Sequence, residues 1–447
     1  MALDRAPGQL IASSVLASRV RFILGLVLVT IGAGAFAVAF RASLTAVYQT
    51  FYGADNIVDS IAGLPRWLRL TVPVAAAAVA GSIARLRSSR TQGVSNVMEA
   101  IALGRVQLSL RATASRVASS WVAIAGGLSI GREGPLIEVG GALGAAVGRT
   151  VKTSLNQTRV LVGAGTAAGF AAAYNTPFAA SLFVLETIAG IAAPELLLPV
   201  MAATVGATGL MRATVGAGPI YGQRTFGLES YAELFSFALL GIAAALVALA
   251  FKTVLGALER WFDTHPVPQP YRATVGGLLV GAIAMWLPAV VGNGYEPLNR
   301  ILDSGIAVSA VIVLVIAKMV ATSGSVASGI PGGIFTPMLL VGAALGAGWS
   351  HIASFGPVSD AGSYALVGMA AATAASIHAP LTASVMVFEL SGDYLIVLPL
   401  ILATVIATAA SKALGDESVY ETELRKRGLG WEMTLEGRQL NDSRDES

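Results

Sequence analysis

Two opposite charges, Arg132 and Glu133, lie side by side in the stretch GREGP, residues 131–135 of a chain with few charges. Glycines flank the pair and Pro135 follows it. Proline is favoured in the first turn of a helix, where its missing N–H costs nothing, so Pro135 predicts a helix start. The unpaired N–H groups of a helix start carry partial positive charge and bind anions. The stretch therefore predicts an anion site that has a carboxylate beside it.

A second break of similar composition, SGIPGGIFTP, spans residues 328–337 and ends in Pro337. It also predicts a helix start, with glycines that let a ligand approach the backbone N–H groups directly. Backbone dipoles hold a halide without a fixed ion pair, so the ion can still leave. We expect the two helix starts to converge on one anion.

An ionised Glu133 at such a helix start is itself an anion in the place that a free anion would occupy. We expect it to block the site when ionised and to admit the substrate when it is protonated or swings away. Ionisable residues inside a membrane are functional by default. Two structural alternatives remain open from the residues alone: a salt bridge between Glu133 and Arg132, or a plain helix cap by Glu133.

The elements that position these residues are membrane helices. Only 12 % of the 447 residues are charged, about half the share found in soluble domains. Residues 160–185 and 319–359 contain no Asp, Glu, Lys or Arg, and a spanning helix needs only about 20 apolar residues. These runs predict an all-α polytopic protein of the cell membrane (the inner membrane if the source is bacterial), with the lipid bilayer as its surroundings. The net charge of +3 does not point to nucleic acid, and we expect no such partner.

The chain also repeats itself. PLIEVGGALGAAVG at 135–148 is similar to PMLLVGAALGAG at 337–348, and NTPFAASLFVLE at 175–186 is similar to HAPLTASVMVFE at 378–389. Blocks that recur in the same order at nearly constant spacing indicate a duplication. Two halves in one membrane protein usually build a transporter, whose site lies at their interface among broken helices.

GREGP together with GGIFTP resembles the CLC family of chloride channels and chloride/proton exchangers, whose hallmark stretches are GREGP and GxFxP. The similarity continues through AAGFAAAYNTPFAASLFVLE (167–186), MVFELSGDYLIVLPL (386–400) and SVYETEL (418–424). The resemblance, to the prokaryotic type without appended CBS domains, implies a homodimer. Each subunit would carry its own anion pathway through two inverted repeats of tilted and broken helices.

The resemblance also assigns roles to individual residues. Glu133 matches the gating glutamate, which competes with the anion and accepts a proton from the outer side. The backbone N–H groups of Ile334 and Phe335 match those that bind the central anion, and Gly134 belongs to the anion-binding helix start of GREGP. Tyr420 matches the C-terminal tyrosine whose hydroxyl donates to the same ion.

The expected domain organisation follows from the repeat and the resemblance. Residues 1–411 should form the membrane transport domain, with a first repeat at about 70–215 and a second at about 272–411. Residues 412–447 should form a C-terminal segment that holds the Tyr420 helix and a polar cytoplasmic tail.

Two positions depart from the family pattern. The first hallmark of the family is GSGIP, and alignment places Gln92 at its serine, which leaves the preference for chloride over nitrate or fluoride open. Gln92 is alternatively a cap of the following helix. Thr187 falls on the inner glutamate of many exchangers, and threonine cannot relay a proton as a carboxylate does. Coupling is therefore open as well, and we expect a structural role for the neighbouring Glu186.

Other ionisable residues receive structural interpretations. We expect Glu138 to make a polar packing contact, with proton involvement as the alternative, and His378 to be a helix-start cap rather than a proton relay. The three histidines lack ligand spacing, so we expect neither a metal nor a cofactor.

The predicted function is transport of chloride or a similar small anion through a pathway gated by Glu133, in exchange for protons. The alternative is a passive voltage- or pH-gated chloride channel on the same fold. An intramembrane enzyme would need a nucleophile with a base, or metal ligands, and the sequence shows no such constellation. We therefore expect no enzymatic activity.

Overall fold

The computed structural model describes residues 7–85, 93–102, 108–189, 194–216, 218, 220–221, 226–228, 230–265, 267–304, 306–352, 359–434 and 437–442. Eighteen α-helices lie in this part of the chain: α1 (Pro7–Val47), α2 (Ile57–Ala62), α3 (Arg66–Arg85), α4 (Gly93–Ala102), α5 (Leu110–Ala125), α6 (Glu133–Thr150), α7 (Leu155–Tyr174), α8 (Pro177–Leu182), α9 (Pro194–Val215), α10 (Glu233–Thr264), α11 (Tyr271–Ala284), α12 (Tyr295–Ser304), α13 (Val308–Ala327), α14 (Phe335–Ser350), α15 (Ala361–Ile377), α16 (Pro380–Ser391), α17 (Val397–Ala413) and α18 (Val419–Arg425). Two π-helical segments extend α1 and α8, Tyr48–Tyr52 and Phe183–Ala189, and a 3-10 turn spans Pro288–Val290.

Several of these helices are long and apolar enough to cross a membrane. In the described part of the chain they are the five segments Val15–Ala62, Arg66–Arg85, Glu195–Val215, Glu233–Thr264 and Val308–Ala327. Large apolar side chains on them, such as Leu198, Phe235 and Ile312, are exposed. Lipid is the solvent that tolerates such a surface, and helices satisfy their own backbone within it. The expected polytopic, predominantly helical membrane protein is confirmed.

The core contains shorter helices that come in matched pairs. Helices α4, α6 and α8 correspond to α12, α14 and α16, and the members of each pair begin 202 or 203 residues apart, at positions 93 and 295, 133 and 335, and 177 and 380. Helix α14 has 16 residues and is about 24 Å long, which is less than the hydrocarbon thickness of about 30 Å. Short helices of this kind end inside the protein, where their termini can face a ligand.

Glycines let α6 and α14 each pack backbone against backbone with the helix that follows, α7 and α15. A Cβ on Gly144 of α6 would lie 2.3 Å from the carbonyl oxygen of Leu161 in α7. A Cβ on Gly346 of α14 would lie 1.9 Å from the carbonyl oxygen of Tyr364 in α15. The glycine-rich stretches 141–148 and 342–348 are therefore packing surfaces, and they fix α6 and α14 firmly against their neighbours.

Two matched carboxylates tie the halves together. Glu186 accepts hydrogen bonds from the backbone N–H groups of Leu381 (3.1 Å) and Thr382 (2.7 Å) and from the Thr382 hydroxyl (2.7 Å), at the start of α16. Glu389, its counterpart in the repeat, accepts from the N–H groups of Phe178 (3.1 Å) and Ala179 (2.8 Å), at the start of α8. Each carboxylate thus caps the helix of the other half, which is a structural role for Glu186, as expected.

The expectation that His378 caps the start of the following helix is wrong. His378 ends α15 in the left-handed conformation with φ 55°, and Asn175 ends α7 in the same way with φ 59°. Asparagine visits this conformation more readily than most residues, because its short side chain can bond locally. The His378 Nε2 atom lies 3.1 Å from Ser411 Oγ, so the imidazole connects α15 to α17.

The C-terminal segment is more structured than a polar tail. After α18, strand β1 (Leu429–Thr434) pairs antiparallel with β2 (Gly437–Asp442). Arg427 donates from Nη1 to Asn96 Oδ1 of α4 over 2.8 Å. The hairpin is too short and too polar in sequence for its pattern to have indicated strands, and the contact of Arg427 with α4 is visible only in three dimensions.

Candidate anion site

The two glycine-rich breaks meet face to face. The Gly131 N–H donates to the Gly333 carbonyl over 2.7 Å, and the Gly333 N–H donates to the Gly131 carbonyl over 3.1 Å. Helix α6 begins two residues after this bridge, at Glu133, and α14 begins two residues after it, at Phe335. The helix starts that Pro135 and Pro337 predict are therefore adjacent, with their positive ends in one buried place.

The Glu133 carboxylate occupies the start of α14 rather than the start of its own helix. Its Oε1 accepts from the N–H groups of Phe335 (3.0 Å) and Thr336 (3.3 Å), and its Oε2 accepts from the Thr336 hydroxyl (2.9 Å). Glu133 is only 2 % exposed. These donors and the helix dipole are what an anion would bind, so the side chain sits as a tethered anion on the donors of the opposite half.

Gly131 and Gly333 leave the space that this carboxylate fills. A Cβ on Gly131 would lie 2.1 Å from Glu133 Oε2, and a Cβ on Gly333 would lie 2.0 Å from Glu133 Oε1. Gly134 also lies close to the opposite break, since a Cβ there would be 3.3 Å from the Gly333 nitrogen. Glycine is required at 131 and 333 for room, because any side chain would displace the carboxylate.

Arg132 is not the ion-pair partner of Glu133. Its guanidinium lies over the ring of Tyr295, with Cζ 4.9 Å from the ring centroid. A cation over an aromatic face is attracted by the ring quadrupole. The salt-bridge alternative is therefore wrong, and so is the plain cap, because Glu133 contacts the N-terminus of α14 and not that of α6.

Two other sequence-predicted site residues, Ile334 and Phe335, lie at the start of α14. Ile334 immediately precedes α14 and Phe335 is its first residue, and both are buried. The Phe335 N–H is already engaged by Glu133. Gln92 lies outside the described residues.

Tyr420 in the C-terminal segment is connected to Phe335 through a series of aromatic contacts. Its ring is 6.0 Å from that of Phe183, which stacks on Phe170 at 4.6 Å, and Phe170 meets Phe335 edge-on at 5.5 Å. Burial and, secondly, the Glu133 carboxylate raise the pKa of the Tyr420 hydroxyl well above its ordinary value. The hydroxyl is therefore neutral and can donate a hydrogen bond to an anion.

Two further residues named from the sequence have clear surroundings. Thr187 is 1 % exposed and lies on the π-helical segment that follows α8. Glu138 is buried and accepts from Arg116 Nε over 2.5 Å and from the Thr113 hydroxyl over 3.3 Å. This pairing of Glu138 with α5 is the polar packing contact expected of it.

Sequence reasoning did not single out Thr336, which contacts Glu133, or Tyr174, which contacts Thr336. Thr336 donates to the Glu133 carboxylate directly, and the Tyr174 hydroxyl lies 2.7 Å from Thr336 Oγ1. A signal was available for Thr336, since it stands inside GGIFTP next to the predicted helix start. Tyr174 carries no such signal, because the residues before it are alanines and its partner is 162 residues away.

Comparison with known proteins identifies the family. The family described as voltage gated chloride channel matches residues 74–412. The chain belongs to this family. A ClcB-like chloride channel protein of Ralstonia nicotianae is 37 % identical over 408 residues, which covers 88 % of this chain and 94 % of that protein. The voltage-gated ClC-type chloride channel ClcB of Citrobacter koseri is 29 % identical over 397 residues, covering 86 % and 95 %.

Solved structures of the CLC family share the fold. The crystal structure of a slow cyanobacterial Cl⁻/H⁺ antiporter aligns with a TM-score of 0.80 at 22 % identity, covering 91 % of this chain and 98 % of that one. The expected CLC-like architecture of two inverted repeats with broken helices is confirmed by this likeness. Members of the family are multi-pass membrane transporters and channels, so membrane localisation is confirmed as well.

Proposed function

We propose that this CLC protein exchanges chloride, or a similar small anion, for protons, with Glu133 as the gate. The observation that carries the proposal is the position of the Glu133 carboxylate on three donors of α14, two of them backbone N–H groups. An ionised side chain on those donors excludes a free anion. A proton on the carboxyl removes the charge that holds it there, and the site becomes available.

The relatives support the substrate and the exchange. The two curated relatives are named as chloride channels, and the structural neighbour is described as a Cl⁻/H⁺ antiporter. We propose that the backbone N–H groups of Ile334, Phe335 and Gly134, together with the hydroxyl of Tyr420, bind the anion in transit. The neutral Tyr420 hydroxyl is suited to this role because a donor without charge does not trap the ion.

The competing function is a passive chloride channel on the same fold. Thr187 at the inner-glutamate position favours it, because a hydroxyl cannot carry a proton from the cytoplasm as a carboxylate does. The two functions differ in reversal potential. A reversal potential that shifts with a pH gradient identifies exchange, whereas one that follows only the anion gradient identifies a channel.

We also propose that residues 1–411 form the transport domain, with repeats at about 70–215 and 272–411, and that a C-terminal segment follows from 412. We propose no enzymatic activity for the protein. We further propose that it works as a homodimer. Chemical cross-linking in detergent tests the dimer, and a product limited to single subunits contradicts it.

The experiment that tests the gate is Glu133→Gln in reconstituted vesicles, with anion and proton movements recorded together. The variant is expected to move anions at all pH values tested while it moves no protons, because the amide cannot be ionised or carry a proton. Anion flux in Glu133→Gln that keeps the pH dependence of the parent would show that Glu133 is not the gate.

A further inference from the structure

Two hydroxyl groups hold the gate carboxylate, and the first of them lies outside the hallmark stretches. Tyr174 Oη lies 2.7 Å from Thr336 Oγ1, which donates to Glu133 Oε2 over 2.9 Å. We call this series of hydrogen bonds the hydroxyl chain. Tyr174 and Thr336 are fully buried and Glu133 is 2 % exposed. The three groups therefore hydrogen-bond to one another away from bulk water.

The direction of the protons in this chain follows from the donor inventory. An ionised carboxylate only accepts, and a threonine hydroxyl has one proton. Thr336 donates its one hydroxyl proton to Glu133. Because it then has no proton left for Tyr174, the Tyr174 hydroxyl donates to Thr336. When Glu133 is protonated, its carboxyl group is neutral and is a weaker hydrogen-bond acceptor. The Thr336 hydroxyl then no longer donates to a charged group. The hydroxyl chain consequently favours the ionised, blocking form of the gate.

The same donors face the place that the carboxylate leaves. When Glu133 swings away, the Thr336 hydroxyl and the N–H groups of Phe335 and Thr336 remain at the start of α14. Tyr174 keeps donating to Thr336, so the single Thr336 proton stays directed at whatever anion replaces the carboxylate. A hydroxyl donor bonds more strongly to a small anion with concentrated charge than to a large one with dispersed charge.

We propose that Thr336, oriented by Tyr174, sets both the pH at which the Glu133 gate opens and the preference of the site for small anions. Thr336 is then a residue that contacts the transported anion, and Tyr174 is a positioning residue that acts only through Thr336. The proposal rests on the proposed function of Glu133 as the gate.

Thr336→Val removes the hydroxyl at nearly constant shape and tests the proposal in reconstituted vesicles. A hydrogen bond to a charged group corresponds to about one to two pH units. The pH of half-maximal anion flux should therefore rise by that amount, since the ionised gate loses a donor and accepts its proton at higher pH. Tyr174→Phe should shift the profile in the same direction by less, and the double variant should match Thr336→Val alone. A parental profile in Thr336→Val, or additive shifts in the double variant, would overturn the proposal.

Thr382→Val is the matched control. Thr382 donates to Glu186 at the start of α16 just as Thr336 donates to Glu133 at the start of α14, but Glu186 caps a helix outside the anion site. Thr382→Val should keep the parental pH profile. An equal shift in Thr382→Val would mean that the effect is a general result of losing a buried hydroxyl and would refute the role of Thr336.

Anion preference is measured where the gate no longer titrates, in the Glu133→Gln background. There Thr336→Val should lower the ratio of chloride to thiocyanate flux by about tenfold, the equivalent of one charged hydrogen bond. An unchanged ratio contradicts contact between Thr336 and the anion. If Glu133 is not the gate, the single variant Glu133→Gln keeps a pH-dependent anion flux. That result differs from every result that refutes the role of Thr336.

Discussion

Replacing Gly333 by alanine tests whether the Glu133 carboxylate lies where the transported anion binds. We call this position the seat of the anion. A Cβ on Gly333 would be 2.0 Å from Glu133 Oε1 and 2.4 Å from its Cδ, whereas non-bonded atoms need about 3.5 Å. The three atoms nearest to that Cβ all belong to Glu133, and Gly333 does not have a positive φ. The backbone can therefore accept alanine, and the flexible carboxylate has to leave.

The cost of leaving can be worked out from the contacts. The carboxylate gives up three hydrogen bonds, each of about 1.5 kcal/mol as a bond to a charged group. The sum of about 4.5 kcal/mol lowers the ratio of blocked to unblocked gate roughly a thousandfold. The same methyl group also fills the seat. An anion centred where Oε1 lies would be about 1.5 Å too close to it, and overpacking of this kind costs about 1–3 kcal/mol.

The two effects are separated in the background of Glu133→Ala, which removes the carboxylate and leaves the seat empty. Glu133→Ala should conduct anions independently of pH, and Glu133→Ala with Gly333→Ala should conduct them about 10- to 100-fold more slowly. Gly256→Ala in α10 is the control, because its Cβ would meet only Arg260 Nη1, at 3.4 Å. Chloride efflux from vesicles measures all of these variants. If the double variant conducts as fast as Glu133→Ala, the anion does not bind where the carboxylate lies.

Two further predictions concern residues outside this contact. Glu186→Gln should lower the free energy of unfolding by about 1–3 kcal/mol, because the cap of α16 loses its charge-assisted hydrogen bonds, and a lower melting temperature in detergent measures this. The pH profile of anion flux should stay parental. A flattened profile would place Glu186 in proton transfer. Gln92→Ser should increase the preference for chloride over nitrate and fluoride in competition assays, because it restores the hydroxyl of the family hallmark. An unchanged preference would show that Gln92 does not contribute to anion selectivity.

Much of the site could be predicted from short stretches of sequence. The membrane environment follows from the scarcity of charge, and the two helix starts follow from Pro135 and Pro337, because these signals act over a few residues. The duplication is visible in the matched blocks, and it already implied that both breaks serve one site. Glu133 is predicted to be the gate because a carboxylate at a buried helix start occupies the place of an anion.

Other assignments failed or were incomplete because they depend on which segments pack together. His378 and Asn175 precede helices in the sequence, yet both end the helix before them, since a left-handed residue there turns the chain. A salt bridge from Arg132 to Glu133 was open from the sequence, and Arg132 lies instead over Tyr295, which is far away along the chain.

By itself, then, the sequence determined the family, the membrane fold and the candidate gating carboxylate, because composition, helix signals and repeats are local or additive properties. Only the tertiary structure decided which helix Glu133 caps, and that a chain of hydroxyls from Tyr174 through Thr336 ends on it. Glu133 and its donors are about 200 residues apart in the chain. Their contact depends on how the two halves meet at Gly131 and Gly333, and no local pattern encodes that arrangement.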